Sequence, residues 1–186
     1  MDAFENLMAL LLRREGYWTT TSYRVDLDKA QKRAIGRHST PRWELDVLAY
    51  KGSRNEVLVV ECKSFLDSPG VIFRNGIFEP EERYKLFSEP HLREVVLTQL
   101  GAQMHREGLC RANPTIQLGL ATGKIASKSD RVGLAKHFEA MQWKLYTDEQ
   151  IKHMLEEAAD AGYENEIAMV ATKILTRDRK TKPGSG

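Results

Sequence analysis

The spacing of hydrophobic and polar residues along the chain predicts helices that alternate with strands. Apolar residues recur every three or four positions from Phe4 onward, which predicts an amphipathic helix over residues 2–15 that ends at Gly16. Three later stretches are rich in β-branched and aromatic residues or alternate apolar with polar ones, which is typical of strands. They cover residues 17–25, 43–50 and 57–63, and the turn sequence at 51–55 joins the last two as a hairpin.

The second half of the chain continues this alternation. Helices are predicted at residues 91–107, 129–141, 147–160 and 164–176, and strands at 115–121 and 142–146. Thr147, followed three positions later by Gln150, is a capping box that supports a helix start. The order of elements therefore predicts an α/β fold in which helices flank a mixed central β-sheet.

Two stretches show no apolar periodicity. Residues 29–40 are expected to form a basic loop. Residues 64–90 contain several prolines and glycines and are expected to be irregular. A connection of this length is often a lid or a binding loop, so the segment 64–90 is a candidate for clamping or selecting a substrate.

Length and composition fit one compact domain. The chain has 186 residues, 41% hydrophobic and 29% charged, so we expect a single domain over residues 1–180 and a disordered tail over 181–186. Its two cysteines are expected to be reduced thiols. The longest aliphatic run, residues 7–12, is too short to span a bilayer, and the N-terminus is acidic. We therefore expect a cytoplasmic protein without membrane contact.

The distribution of charge is more informative than the net charge of +2. Residues 29–42 contain a run of cations and no acid. Such a cluster is a candidate surface for the phosphates of a nucleic acid, although a short charged stretch is as often a solvated loop. The candidate contacts are Lys29, Lys32, Arg33, Arg37, His38 and Arg42.

Two predicted strands carry acids at positions where strands are usually apolar. Alternation places Glu44 and Asp46 on one face of the first strand. On the second, four aliphatic residues lead directly into Glu61, with Lys63 on the same face. If the strands pair, Asp46 and Glu61 converge at one edge of the sheet, where two desolvated carboxylates require a partner cation.

Hard oxygen ligands on a rigid sheet suit Mg²⁺, because Mg²⁺ binds one or two carboxylates together with substrate phosphate. We expect Mn²⁺ to substitute for it. Lys63 would orient or activate a water molecule or stabilise charge on the phosphate. Metal-assisted hydrolysis of a phosphodiester uses all of these parts. The alternative is an ordinary strand in which Glu61 and Lys63 form a buried ion pair and Asp46 lies at the surface.

These residues resemble the PD-(D/E)XK nuclease superfamily, whose fold is called restriction-endonuclease-like. The resemblance is carried by Asp46 and, after fourteen intervening residues across a hairpin, by Glu61-Cys62-Lys63. The order of elements over residues 2–122 is also similar to the αβββαβ core of that family. Leu45 departs from the family pattern, which has proline at this position.

The resemblance extends to two helices and implies a role for each matching residue. Glu5, near the start of the first helix, is similar to an acid that points into the site in the family, and the helix with Gln99 and Gln103 is similar to one that places a glutamine near it. Glu44 shares a face with Asp46 and is an alternative ligand, although Asp46 is closer to the middle of its strand. The implied roles are metal ligation by Asp46, Glu61 and the backbone carbonyl of Cys62, catalysis by Lys63, an accessory acid in Glu5 and a positioning residue in Gln99.

The expected function is therefore that of a Mg²⁺-dependent endonuclease that hydrolyses DNA in restriction, repair or recombination. A homodimer would suit an enzyme that cuts both strands at one place. Two alternatives stay open: an inactive nuclease-like module that only binds nucleic acid or a partner, and a nuclease subunit that is active only within a larger defence or repair complex.

Overall fold

The computed structural model describes residues 2–37, 43–160 and 166–177. These residues form helices on both sides of a β-sheet. The helices are α1 (Ala3–Arg14), α2 (Lys29–Ala34), α3 (Lys85–Ser88), α4 (Pro90–Arg106), α5 (Lys128–Ala140), α6 (Asp148–Asp160) and α7 (Ile167–Thr176). The strands are β1 (Trp18–Val25), β2 (Trp43–Lys51), β3 (Glu56–Lys63), β4 (Ile72–Arg74), β5 (Ile77–Glu79), β6 (Thr115–Thr122) and β7 (Lys144–Tyr146).

The central sheet has five strands in the order β1-β2-β3-β6-β7. The first three strands are antiparallel neighbours, whereas the β3–β6 and β6–β7 pairs are parallel. This mixed sheet, flanked by helices, confirms the predicted fold class. Within the described ranges, the structure has no helix that combines the length and the apolar character needed to cross a membrane.

Helices cover both faces of the sheet because its central strand is apolar on both sides. Residues 57–60 of β3 are all buried. Val57 and Val59 belong to a core that also includes α4 and α5, while Leu58 and Val60 pack in a second core with α1, α6 and α7. Strands buried on both faces read as continuous apolar runs, as this one does.

At one end of the sheet, β2 and β3 separate. Their antiparallel ladder ends where Val47 pairs with Val60. Beyond that point β2 stays paired with β1, and β3 stays paired with β6. The next residues are Asp46 on β2 and Glu61 on β3, so the opening between the two strands, which we call the fork, begins at these two acids.

The prediction of a loop over residues 29–40 was wrong for its first half, which forms α2. The Asp28 carboxylate caps this helix by accepting from the Gln31 backbone N–H, and the Gln31 side chain accepts from the Asp28 N–H at 2.8 Å. A helix of six residues is too short to show apolar periodicity, so its capping box is its only sequence signal. Residues 38–42 and the expected tail at 181–186 lie outside the described residues.

The segment 64–90 is also more regular than predicted, because it contains the β4–β5 hairpin and α3. Asn75 and Gly76 have φ angles of 51° and 83°, the left-handed values that a two-residue hairpin turn requires. Buried Asp130 holds the hairpin against α5 by accepting from the Phe73 backbone N–H at 2.9 Å and from the Ser127 hydroxyl. All the other predicted helices and strands are present, with ends shifted by three residues at most.

Candidate active site

Asp46 bridges the fork between β2 and β3. Its Oδ2 accepts a hydrogen bond of 2.7 Å from the backbone N–H of Cys62. The ladder between these strands has already ended at Val47 and Val60, so a side chain of β2 satisfies a backbone donor of β3 that has no ladder partner on β2. The Cys62 thiol packs against the core that includes α1, and burial raises its pKa well above the usual range.

Glu61 and Lys63 form a partly buried ion pair on β3. The Lys63 Nζ lies 2.5 Å from Glu61 Oε1, and both side chains are about one-fifth exposed, at 19% for Lys63 and 21% for Glu61. The Lys63 Nζ also lies 6.0 Å from the centroid of the Tyr84 ring, which comes from the segment 64–90 and is 1% exposed. The ammonium group therefore stands between an acid of the fork and a buried aromatic ring.

Glu5 reaches the same group of acids from the first turn of α1. This helix begins there because the Asp2 carboxylate caps it, accepting from the Phe4 backbone N–H at 2.7 Å. Glu5 is half-buried, and its Oε2 atom is shielded from solvent without a hydrogen-bond partner among the described residues. A shielded carboxylate oxygen without a donor is rare and requires an explanation, such as a bound ion.

The pKa values of Glu5, Asp46 and Glu61 are all raised above the ordinary carboxyl value. Burial is the largest cause for each of Glu5, Asp46 and Glu61. The charge of Asp46 further raises the pKa of Glu5 and of Glu61, while Lys63 and the Cys62 N–H act to lower the pKa of Asp46. Carboxylates that repel one another in a desolvated place gain stability from a cation, which is the electrostatic character of a metal site.

The donor chemistry of this place fits Mg²⁺, although its side chains are not arranged as a closed metal cage. No group of three or more His, Cys, Asp or Glu side chains in the described part of the chain forms a ready-made ligand set. Mg²⁺ does not need one, because it usually keeps several waters and binds the protein through one or two carboxylates. Asp46 and Glu61 would be those carboxylates if Mg²⁺ bound at the fork, and the shielded oxygen of Glu5 would be available to accept from a water beside it.

The structure separates Glu44 from Asp46, the two acids between which the sequence left a choice. Glu44 is paired across the β1–β2 ladder with Arg24 at 3.2 Å, and both of their side chains are more than half exposed. Asp46 is the acid at the fork beside Glu61. Asp46 is therefore the acid that lies at the fork, whereas Glu44 belongs to a surface ion pair of small energetic effect.

Gln99 and Gln103 contact the β1–α2 connection, and none of their hydrogen bonds reaches the acids of the fork. The Gln99 amide donates to the Asp26 carbonyl at 2.8 Å and accepts from Gln31 at 3.1 Å. Gln103 is 3% exposed, accepts from the Asp26 N–H at 2.8 Å and donates to the Arg24 carbonyl at 3.0 Å. Both side chains hold α4 to the end of β1 and to the β1–α2 connection, and these contacts do not support the positioning role expected for Gln99.

The predicted basic residues that the structure describes differ in their exposure and in their pairing. Lys29 and Arg33 are exposed on α2, and Lys32 is half-exposed. Arg37 is engaged, because its guanidinium is paired with Glu89 at 3.0 Å and lies 5.4 Å from the centroid of the Trp43 ring. His38 and Arg42 lie outside the described residues.

Two residues at the site had no recognised signal in the sequence. The charge of Asp2 raises the pKa values of both Glu5 and Asp46. In the sequence, its position before α1 indicates only a helix cap. Tyr84 is close to Lys63 because the hairpin of the segment 64–90 is folded onto α5, a tertiary arrangement that local pattern does not show.

No protein-family model, curated protein or solved structure matches this chain.

Proposed function

We propose that this protein is a Mg²⁺-dependent phosphodiesterase that cleaves DNA and that its core is of the restriction-endonuclease-like kind. One observation carries the proposal: Asp46, Glu61, Lys63 and Glu5 come together where β2 and β3 separate. Four ionisable side chains from three elements meet in a place with partial access to solvent. Simple packing would not favour three mutually repelling acids there.

The mixed sheet and the order of its elements support the finer assignment of the fold. An antiparallel β1–β2–β3 unit preceded by α1 and continued through α4 into parallel β6 is the order α, β, β, β, α, β when the short additions are set aside. The resemblance of Asp46 and Glu61-Cys62-Lys63 to the family motif then coincides with the place where the fold gathers its acids.

Each residue of this proposed site would have a definite task in such a reaction. Asp46 and Glu61 would hold Mg²⁺, and the Cys62 backbone carbonyl remains a predicted further ligand. Bound Mg²⁺ would polarise the scissile phosphate and neutralise the charge that develops on it. Lys63 would hold the attacking water or the phosphate oxygen by hydrogen bonds, and Glu5 would accept a proton from water at the edge of the site.

The exposed cations of α2 support DNA as the substrate. Lys29 and Arg33 are exposed on α2, the helix that precedes the Asp46 strand β2 in chain order. Contacts of this kind bind phosphates without reading the base sequence. The segment 64–90 supplies the buried Tyr84 beside Lys63 and would form one wall of the substrate groove.

The test is a cleavage assay on supercoiled plasmid, linear duplex, single-stranded and branched DNA, with Mg²⁺, Mn²⁺ or EDTA. The proposal predicts cutting with either metal and none with EDTA. Binding without cutting under every condition would favour the inactive binding module. Cutting that begins only after a partner subunit is added would favour a nuclease that works within a complex. Cutting that persists in EDTA would contradict metal dependence.

A further inference from the structure

The outer face of α7 carries an unusual concentration of exposed apolar side chains. Nine large hydrophobic residues of the described chain are notably exposed, and four of them lie on this one helix of ten residues. The exposed fractions are 88% for Ile167, 40% for Val170, 69% for Ile174 and 78% for Leu175. A contiguous apolar patch on a folded surface indicates an interaction site, whereas single exposed residues do not.

These four exposed residues form an apolar stripe along α7. The stripe is separate from the face by which α7 packs on its own molecule. Met169 is fully buried and Ala168 packs beside it in the core shared with α1 and α6. At 100° per residue, Ile167, Ala171 and Ile174 point away from Met169. The spacing of three and four between Ile167, Val170 and Ile174 is that of a helix seam in a coiled coil, with exposed Ala171 allowing close approach at the centre.

The charges beside the stripe indicate which partner fits it. Glu166 precedes the helix and Arg177 follows it, and both are exposed. They are eleven residues apart, about three turns, so they lie on the same flank of the helix. When two identical helices pair antiparallel, equivalent flanks meet and the ends are reversed, which places each Glu166 near the Arg177 of the other helix. Parallel pairing would bring like-charged ends together.

We propose that the outer face of α7 binds the α7 of a second copy of this chain, in an antiparallel pair with two-fold symmetry. The apolar stripe is self-complementary, as such an interface requires. The pairing also sets the two helix dipoles in opposite directions. This inference does not depend on the nuclease proposal, because no residue of the fork takes part in the interface.

The first test is the molar mass of the full chain in solution, measured by sedimentation over a range of concentrations. We expect a dimer, and we expect Ile174→Glu to raise its dissociation constant at least about tenfold, because the substitution places a charge within the apolar seam. Val132→Glu is the matched control, since Val132 is 54% exposed on α5, and it is expected to leave the dimer unchanged. Circular dichroism shows that each variant is folded.

The second test determines the direction of the helices by cysteine cross-linking. Ala171→Cys is expected to form a disulfide-linked dimer, because residue 171 lies near the two-fold axis. A mixture of the variants Glu166→Cys and Arg177→Cys is expected to cross-link as a heterodimer, and neither is expected to cross-link alone. The unsubstituted chain is the background control, since Cys110 is buried and Cys62 is partly buried.

Three results would overturn the inference. A monomer at every concentration would mean that another partner covers the stripe, or that nothing does. A dimer that withstands Ile174→Glu would place the interface elsewhere. Efficient cross-linking of Glu166→Cys alone would show a parallel pair. A failure of the cleavage assay with the dimer intact would reject the nuclease proposal and leave this one standing.

Discussion

The Asp46 carboxylate accepts a hydrogen bond from the Cys62 backbone N–H at 2.7 Å. This contact connects β2 and β3 just beyond the last pair of their ladder, so it fixes the width of the fork. It also places a carboxylate of one strand beside Glu61 and Lys63 of the other. A side chain that satisfies a backbone donor at the end of a ladder has a structural role that is separate from any role in metal binding.

These two roles of Asp46 can be separated by substitution. Asp46→Asn keeps an oxygen that can accept from Cys62 and removes the negative charge. We expect the free energy of unfolding to change by less than about 1 kcal/mol, DNA affinity to stay within a few-fold, and the cleavage rate to fall at least about 100-fold. Urea unfolding, DNA-binding titration and single-turnover cleavage measure the three quantities.

Glu44→Gln is the matched control, because Glu44 lies two residues away on the same strand but is exposed and paired with Arg24. It is expected to retain the cleavage rate within about twofold. If Glu44→Gln abolished cleavage while Asp46→Asn did not, the assignment of the ligand would be reversed.

Glu5 is expected to contribute to metal binding without being essential for folding. Mn²⁺ should raise the melting temperature of the unsubstituted protein, because it binds the folded state and relieves repulsion between the acids. Glu5→Gln should weaken Mn²⁺ binding about tenfold, the effect of losing a group that supports the ligands. Calorimetric titration of the metal measures this without any substrate.

Glu15→Gln provides the comparison for Glu5, since Glu15 is exposed at the opposite end of α1. It should bind Mn²⁺ as the unsubstituted protein does. Equal affinity in all three proteins would show that Glu5 is not part of the site.

Asp130 is expected to make stability depend on pH on the acid side. Burial alone would raise its pKa, but hydrogen bonds from Ser127 and Phe73 and the charge of Arg74 outweigh burial and lower the pKa below its usual value. An acid with a lowered folded-state pKa stabilises the protein above the ordinary carboxyl range, and this stabilisation is lost as the pH falls through the folded-state pKa. Asp130→Asn should therefore cost about 2 kcal/mol at neutral pH and progressively less below about pH 4.

Glu79→Gln is the control on the same hairpin. Glu79 lies 3.7 Å from Arg74, and both side chains are at least half exposed, so the cost should stay below about 0.5 kcal/mol at all pH values. Urea unfolding between pH 3 and pH 7 compares the two variants. A deficit of Asp130→Asn that did not shrink in acid would mean that its charge is not the stabilising feature.

Alanine substitutions of Gln103 and Gln99 should differ in their effect on the free energy of unfolding. Neither should change the cleavage rate by more than a few-fold. Gln103→Ala leaves the Asp26 N–H and the Arg24 carbonyl without their buried partner, so it should destabilise the fold by about 2–4 kcal/mol. Gln99→Ala, at a partly exposed position, should cost less than about 1 kcal/mol.

Cleavage per folded molecule should stay within a few-fold for both glutamine variants. A large loss of cleavage in folded Gln99→Ala would support the positioning role that the sequence resemblance implied.

The sequence was most informative where local pattern determines structure. The apolar stripe from Phe4 predicts α1, and the aliphatic run from Val57 into Glu61 predicts the strand β3. The β2–β3 ladder ends where Val47 pairs with Val60, so Asp46 and Glu61 are the next residues on the two strands. Because this register follows from two strands and a short turn, the approach of the two acids could be predicted without a structure.

Other features depend on contacts that local pattern does not contain. The strands β4 and β5 have three residues each, too few for alternation to be visible, although Asn75-Gly76 is a recognisable hairpin turn. The role of the Gln99 amide could be inferred only once its hydrogen-bond partners, the Asp26 carbonyl and the Gln31 side chain, were known. The shielded oxygen of Glu5 likewise depends on how α1 crosses the end of the sheet.

Lys63→Ala provides the most direct test of the central claim that the fork is a metal-dependent catalytic site. The measurement is single-turnover cleavage of DNA in Mg²⁺, with Lys136→Ala, an exposed position on α5, as the matched control and with DNA binding measured in parallel. We expect Lys63→Ala to bind DNA within a few-fold of the unsubstituted protein but to cut it at least about 100-fold more slowly, and we expect Lys136→Ala to cut at the unsubstituted rate. Cleavage by folded Lys63→Ala at the unsubstituted rate would contradict a catalytic role for the fork.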